Sequence, residues 1–212
     1  MKDIPIFDTQ YGIASLLLKE IPYRQIAYIR VRSVLPGSIR ELLEECAAFC
    51  RMAGAEHIYA SGHEDLKEYP LHVSVIRMQG AAQIQREKIR NLFPVTEKTV
   101  EHWRSIYNGA MHHVDNAATL EKPDEAKILL GGAYFVHDNG TLLGIGWLEE
   151  EKLLAIAAVQ PGAGETVAHT LLSVIEGATV SLEVASTNAK AIRLYEKLGF
   201  VPVEEVNRWY RV

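Results

Sequence analysis

Cysteine is scarce in this chain: only Cys46 and Cys50 are present. Two thiols cannot build a multi-bridge disulfide scaffold. A metal site using both would need further ligands, and the nearest candidates, His57 and His63, fit no zinc spacing. Four residues apart, the thiols fall on one side of a helix and read as core cysteines. Excess positive charge is lacking as well. Lys and Arg number 22 against 27 Asp and Glu, a net charge of −5, and no basic run is present, so a nucleic-acid partner is not expected. Long apolar runs are also missing. The longest apolar region, residues 128–148, is interrupted by His137, Asp138, Asn139 and Gly140, and Met1-Lys2-Asp3-Ile4-Pro5 does not lead into a signal-peptide core. The expectation is a cytoplasmic protein with no membrane contact.

What is present suits a packed α/β protein. A length of 212 residues with 48% hydrophobic content supports one large domain or two small ones. Residues 11–21 read as a short helix with Leu16, Leu17 and Leu18 half-buried. Residues 26–34 read as a strand, and Ser38-Ile39-Arg40-Glu41 reads as a capping box opening a helix. Ile39, Leu42, Leu43, Cys46, Ala47, Phe49, Cys50 and Ala53 lie close to one helical face, and Gly54 is placed to stop the helix. Strands at residues 57–60 and 72–78 complete a small β-α-β-β unit with a right-handed crossover. The polar stretch 80–90 marks a boundary, dividing the chain into domains 1–85 and 86–212.

The second part begins with a short strand at residues 92–97. A helix follows, with Val100, Trp103, Ile106, Tyr107, Ala110 and Met111 at helical spacing, and then a second short helix over residues 123–130. Next comes an antiparallel meander of residues 133–137, 141–148 and 153–159, with Asn139-Gly140 as a strong hairpin signal. The third of these strands is apolar almost throughout, as if covered on both faces. It leads into Gln160-Pro161-Gly162-Ala163-Gly164-Glu165-Thr166 and a helix marked by Val167, Leu171, Leu172 and Ile175. A glycine-bearing loop between a strand and a helix start can offer backbone amides to an anion. In the strand 179–184, Val180, Leu182 and Val184 alternate with Thr179, Ser181 and Glu183, so Glu183 lies on the polar face. Ser186 or Thr187 can cap the next helix. Asn188 and Tyr195 stand two turns apart on one face, Lys197 lies in the last turn, and Gly199 suits the left-handed position beyond it.

This order of elements, with Leu182-Glu183-Val184, Asn188, Ala191, Leu194-Tyr195-Glu196-Lys197 and Gly199-Phe200, resembles the GNAT superfamily of acyl-CoA-dependent N-acyltransferases. Val159-x-Pro161 before the loop is a second point of likeness. The resemblance covers roughly the C-terminal 120 residues. It implies a splayed, mostly antiparallel mixed sheet flanked by helices, with acetyl-CoA or another acyl-CoA inserted between strands 153–159 and 179–184 and with no metal. The thioester would bond to backbone at Ala157, Ala158 and Val159. The pyrophosphate would lie on Gly162, Gly164, Glu165, Thr166 and Val167, and Asn188, Ala191 and Tyr195 would face the cofactor. Tyr195 is the implied acid and Glu183 the implied base.

The acceptor implied is a small-molecule or peptide amine, held by the region that supplies Trp103, Tyr107, Asn108, His112, His113 and Asp115. Trp103 and Tyr107, as aromatics at helical spacing, read as core rather than as a substrate cage. Adjacent His112 and His113 point about 100 degrees apart on a helix and do not converge on one metal ion. The loop departs from the family pattern. Counting from Pro161, the positions usually held by Arg or Gln, Gly, and Gly or Ala carry Gly164, Val167 and His169, and His169 reads as a surface histidine. The N-terminal unit reads as a degenerate half of the same fold that shapes the acceptor site or a homodimer contact. The rival function is a non-catalytic acyl-CoA-binding or protein-interaction module on the same fold.

Overall fold

The computed structural model describes residues 2–81, 86–177 and 179–212. The chain divides into two compact units, Met1–Val75 with Glu205–Val212, and Ile76–Glu204. The boundary expected after residue 85 falls on residues 82–85, outside those described.

In the first unit, β1 (Ile4–Thr9) and β2 (Gly12–Leu17) form an antiparallel hairpin, and β2 pairs on its other side with β3 (Ile26–Val34). The helix expected over residues 11–21 is therefore a strand followed by the single turn α1 (Ile21–Arg24). The leucine cluster suits a helix locally, but pairing on both sides of β2 overrides that preference and buries Ala14 and Leu16. Gly12 marks the close approach of β3, since a Cβ there would lie 2.3 Å from the Ser33 carbonyl oxygen.

The next helix, α2 (Ile39–Met52), buries Leu42, Leu43, Cys46, Ala47 and Cys50, as its apolar stripe predicts. The expected capping box does not form. Ser38 stands at φ −107°, ψ 20°, outside the extended region from which a cap side chain reaches the first-turn amides, and makes no cap hydrogen bond. After α2, β4 (His57–Ser61) runs parallel to β3 over five consecutive pairs, from Ile26↔His57 to Arg30↔Ser61. The beginning of β5 (Leu71–Gly80) and the end of the C-terminal strand complete the unit, with Tyr210 of that strand opposite Ala60. The unit thus has three strands more than the β-α-β-β expectation: β1, β2 and the end of the C-terminal strand.

The second unit holds β6 (Asn91–Pro94), α3 (Val100–Met111), α4 (Glu125–Leu129), β7 (Ala133–Asp138), β8 (Thr141–Glu149), β9 (Lys152–Ala158), α5 (Gly164–Leu172), β10 (Val180–Ala185), α6 (Ala189–Lys197) and the start of β11 (Val201–Arg211). Its strand order is β11-β5-β10-β9-β8-β7-β6. The β7–β8 hairpin turns at Asn139 and Gly140, both at positive φ (48° and 81°), the geometry that dipeptide favours. Two apolar layers sandwich the sheet. Val167, Leu171, Leu172 and Leu198 pack with Leu153, Val180, Leu182 and Val184 on one face. On the other, Val100, Trp103, Tyr107 and Ile128 pack with Phe135, Ile145, Ala155 and Ala157. β9 is not covered on both faces, contrary to the expectation from its composition: Leu154 is 44% exposed. No helix among the described residues is long and apolar enough to cross a membrane.

Candidate functional site

The exposure of Leu154 marks an irregularity in β9. Opposite β8, Trp147 pairs with Ala155 and Leu148 with Leu153, so Leu154 is an extra residue with no opposite number. An inserted residue of this kind bends the strand that carries it. The consequence appears on the other edge of β9. β10 runs parallel to β9 but pairs with it only at Ser181↔Lys152 and Leu182↔Leu153, and among the described residues no pairing continues beyond the bulge. Beyond that point residues 154–158 and 183–185 carry no ladder pairing with each other, and this unpaired stretch is the candidate cleft.

Backbone groups line the β9 side of this cleft. Val159 donates its N–H to the Leu143 carbonyl at 2.9 Å. Because antiparallel strands alternate their bonding direction, Ala157 and Ala155 also face β8, whereas the N–H and C=O of Ile156 and Ala158 face the cleft. Of the three backbone positions expected here, Ala158 therefore faces the cleft and Val159 spends its amide on β8. Ile156 was not foreseen, because the register that aims it is set by the bulge.

Past the end of β9 the chain turns at Gly162 (φ 80°) into α5. The first backbone bond of that helix runs from Val167 N–H to the Ala163 carbonyl at 2.9 Å. Among the described residues, the N–H groups of Gly164, Glu165 and Thr166 in the first turn have no backbone acceptor. The side chain of Val167 turns away into the core and packs over Gly144. His169 is 2% exposed, so the surface histidine expected there is a buried one. Residues just after 85 lie along α5, with Arg90 donating its N–H to Thr170 Oγ1 at 3.0 Å. Burial is the main cause holding the His169 pKa below its ordinary value, with Lys88 the next contribution.

Glu165, in the first turn of α5, accepts from Lys197 Nζ at 2.6 Å and from Lys88 Nζ. These two partners, Lys197 foremost, hold its pKa down at about 2. His169 Nε2 lies 3.8 Å away. Lys88 comes from a stretch without periodicity, so its convergence on Glu165 has no signal in sequence.

Across the cleft, β10 ends in the N-terminus of α6. The cap is Asn188 rather than Ser186 or Thr187: Asn188 Oδ1 accepts from Ala191 N–H at 3.1 Å. Gly199 takes the left-handed conformation at the other end, at φ 89°. Tyr195 is 7% exposed and packs in the layer of Val184 and Phe200. Burial pushes its phenol up to about 12. Glu183 points to the opposite face of β10, where its Oε1 accepts from Arg77 Nη2 at 3.1 Å. Arg77 also binds Glu204. The implied acid and base thus stand on opposite faces of one strand.

The acceptor candidates separate into two groups. Trp103 is fully buried, donates Nε1–H to the Tyr134 carbonyl at 3.1 Å and stacks on Tyr107 at 5.6 Å, so this pair is core. Asn108 clasps Leu120, donating to its carbonyl and accepting from its N–H, both at 2.9 Å. This fixes the loop after α3, in which the exposed His112 and His113 rings meet edge to face at 4.8 Å. Asp115 accepts from Thr187 Oγ1 at 2.7 Å, tying that loop to the junction of β10 and α6. Among the described residues no group of three or more His, Cys, Asp or Glu is arranged to hold a metal ion.

A meander whose last strand is bulged, a parallel neighbour splayed from it, and a helix start at the mouth of the gap define one known class of fold. Solved structures agree. A GNAT-family acetyltransferase from Colwellia psychrerythraea superposes with a TM-score of 0.54 at 11% identity, over 97% of this chain and 84% of that one. A GCN5-related N-acetyltransferase from Anabaena variabilis gives 0.58 at 13% identity, over 94% and 58%. A conserved Staphylococcus epidermidis protein described as functionally unknown gives 0.57 at 10% identity, over 97% and 91%. The chain has the GNAT N-acetyltransferase fold. No family model and no curated protein sequence matches it.

Proposed function

We propose that the chain is an acyl-CoA-dependent N-acyltransferase that moves an acetyl group from acetyl-CoA to a primary amine. The observation that carries this reading is the cleft opened by the Leu154 bulge, where β9 and β10 pair at two positions only. An extended pantetheine arm would take the backbone positions that β10 leaves unpaired, with Ile156 and Ala158 as partners. The Gly164, Glu165 and Thr166 amides at its outer end would meet the pyrophosphate.

In the reaction, the neutral amine nitrogen attacks the thioester carbonyl carbon, a tetrahedral intermediate forms, and the C–S bond breaks to release the thiolate. The proton lost by the amine ends on that sulfur. A phenol at about 12 holds its proton more tightly than a thiol of ordinary pKa near 8.5. Tyr195 would therefore stabilise the departing thiolate by hydrogen bonding, with another route returning the proton. Glu183, directly or through water, is the base candidate on the other face, where the amine would approach.

The second reading, a non-catalytic acyl-CoA-binding or interaction module, is favoured by two contacts: Glu183 is engaged by Arg77, and Glu165 places a carboxylate at the helix start. The test is release of free thiol from acetyl-CoA with a broad panel of amines, for wild type, Tyr195→Phe and Glu183→Gln. Amine-dependent release that falls in both variants supports the enzyme and its residues. Saturable acetyl-CoA binding without release supports the module, and equal release in all three proteins removes both assignments.

A further inference from the structure

The family pattern leaves the mouth of such a cleft to glycines; here it holds a carboxylate clamped by two lysines. Lys88 arrives from the segment before β6 and Lys197 from the last turn of α6, and both ammonium groups close on the two oxygens of Glu165. Three sequence-distant elements thereby meet at the first turn of α5. Glu165 is only 21% exposed at its side chain, whereas Lys197 is 62% exposed, so the carboxylate sits beneath its cations rather than extending from the surface. A carboxylate receiving two ammonium groups in the first turn of a helix has the charge surroundings that a phosphate group would take.

We infer that Glu165 is an internal stand-in for phosphate: it occupies the anion subsite made by Lys88, Lys197 and the first turn of α5, and the pyrophosphate of an acyl-CoA must displace it to bind. This rests on the proposed acyl-CoA reading and adds to it an autoinhibitory contact that sets affinity. Glu165 and a bound pyrophosphate compete for the same two ammonium groups. Removing the charge of Glu165 while keeping its size hands both lysines to the ligand. Because two like charges a few ångströms apart in a partly exposed site repel appreciably, the gain in affinity is about tenfold.

The test measures dissociation constants by calorimetry for wild type, Glu165→Gln and Lys197→Met, each with acetyl-CoA, with S-acetyl-pantetheine, which lacks the pyrophosphate, and with inorganic pyrophosphate. The expected result is acetyl-CoA binding about tenfold tighter in Glu165→Gln and weaker by a similar factor in Lys197→Met, with S-acetyl-pantetheine unchanged in both. A merely structural ion pair would move the melting temperature without separating the two donors. If wild type binds acetyl-CoA and Glu165→Gln binds it equally or less well, the inference is overturned and the acyl-CoA reading stands. If no protein binds acetyl-CoA but Glu165→Gln binds pyrophosphate more tightly than wild type, the anion subsite stands and the acyl-CoA reading falls. If nothing binds to any of them, both fall.

Discussion

Each unit of this molecule contains a parallel strand–helix–strand crossover, and the two end differently. In the first, β3 and β4 stay paired over five consecutive residues. In the second, β9 and β10 part after two. The crossover helices do not account for this, since α2 and α5 both bury continuous apolar faces. The difference is one residue, Leu154, inserted in β9 opposite an unbroken β8. A paired crossover satisfies its own backbone, while a parted one presents that backbone to a ligand. The first unit thus keeps its ladder at the place where the second leaves its backbone unpaired.

If helix packing is equal in both crossovers, trimming it should cost the same in both. Leu42→Ala in α2 and Leu171→Ala in α5, both fully buried, are each expected to lower unfolding free energy by about 2–5 kcal/mol in denaturant titrations. A much smaller loss at Leu171 would attribute the cleft to loose packing instead of the bulge. Tyr195→Phe tests the use of the parted pair: amine-dependent thiol release should fall on the order of 100-fold, with unfolding free energy changed by less than about 1 kcal/mol, because only a hydroxyl is removed.

The helix caps sharpen the contrast further. Asn188→Ala removes the hydrogen bond to Ala191 and should cost about 1 kcal/mol, whereas Ser38→Ala, which removes no cap bond, should stay within about 0.5 kcal/mol. The remaining effects are in pH. Burial raises Cys46 to about 12 and Cys50 to about 11 from 9.0. Above pH 9 the unfolded chain sheds thiol protons that the fold retains, so stability falls as pH rises, and Cys46→Ala with Cys50→Ala should flatten that slope. Glu165 has the opposite sign. Its pKa is depressed from 4.5 to about 2, so its contribution is present above about pH 4.5 and is lost as pH falls toward 2; Glu165→Gln should remove that acid-side slope.

Much of the fold could be read before the coordinates. β3 falls on residues 26–34 as the apolar pattern predicts, and α2, the Asn139-Gly140 hairpin and the β10–α6 motif follow from local signals that agree with their tertiary setting. Contacts between distant residues were hidden. β2 reads as a helix until strands on both sides claim it. The bulge at Leu154 is a register mismatch with β8 and leaves no glycine or proline in β9 to announce it. His169 reads as surface because its cover lies some 80 residues away, where Arg90 meets Thr170. The site was legible in the same measure. Glu183 and Tyr195 could be named from alternation and motif, but not their placement on opposite faces, nor the hold of Arg77 and Lys88 on the carboxylates.

The central claim is that the bulged edge of β9 receives an acyl-CoA. Hydrogen–deuterium exchange of the whole chain, with and without saturating acetyl-CoA, tests it directly. The account predicts that, without ligand, the amides of Ile156, Ala158, Gly164, Glu165 and Thr166 exchange faster than those of the β3–β4 pair, and that acetyl-CoA slows those five while leaving β3 and β4 unchanged. Protection confined to other residues, or no change at millimolar acetyl-CoA, would contradict it.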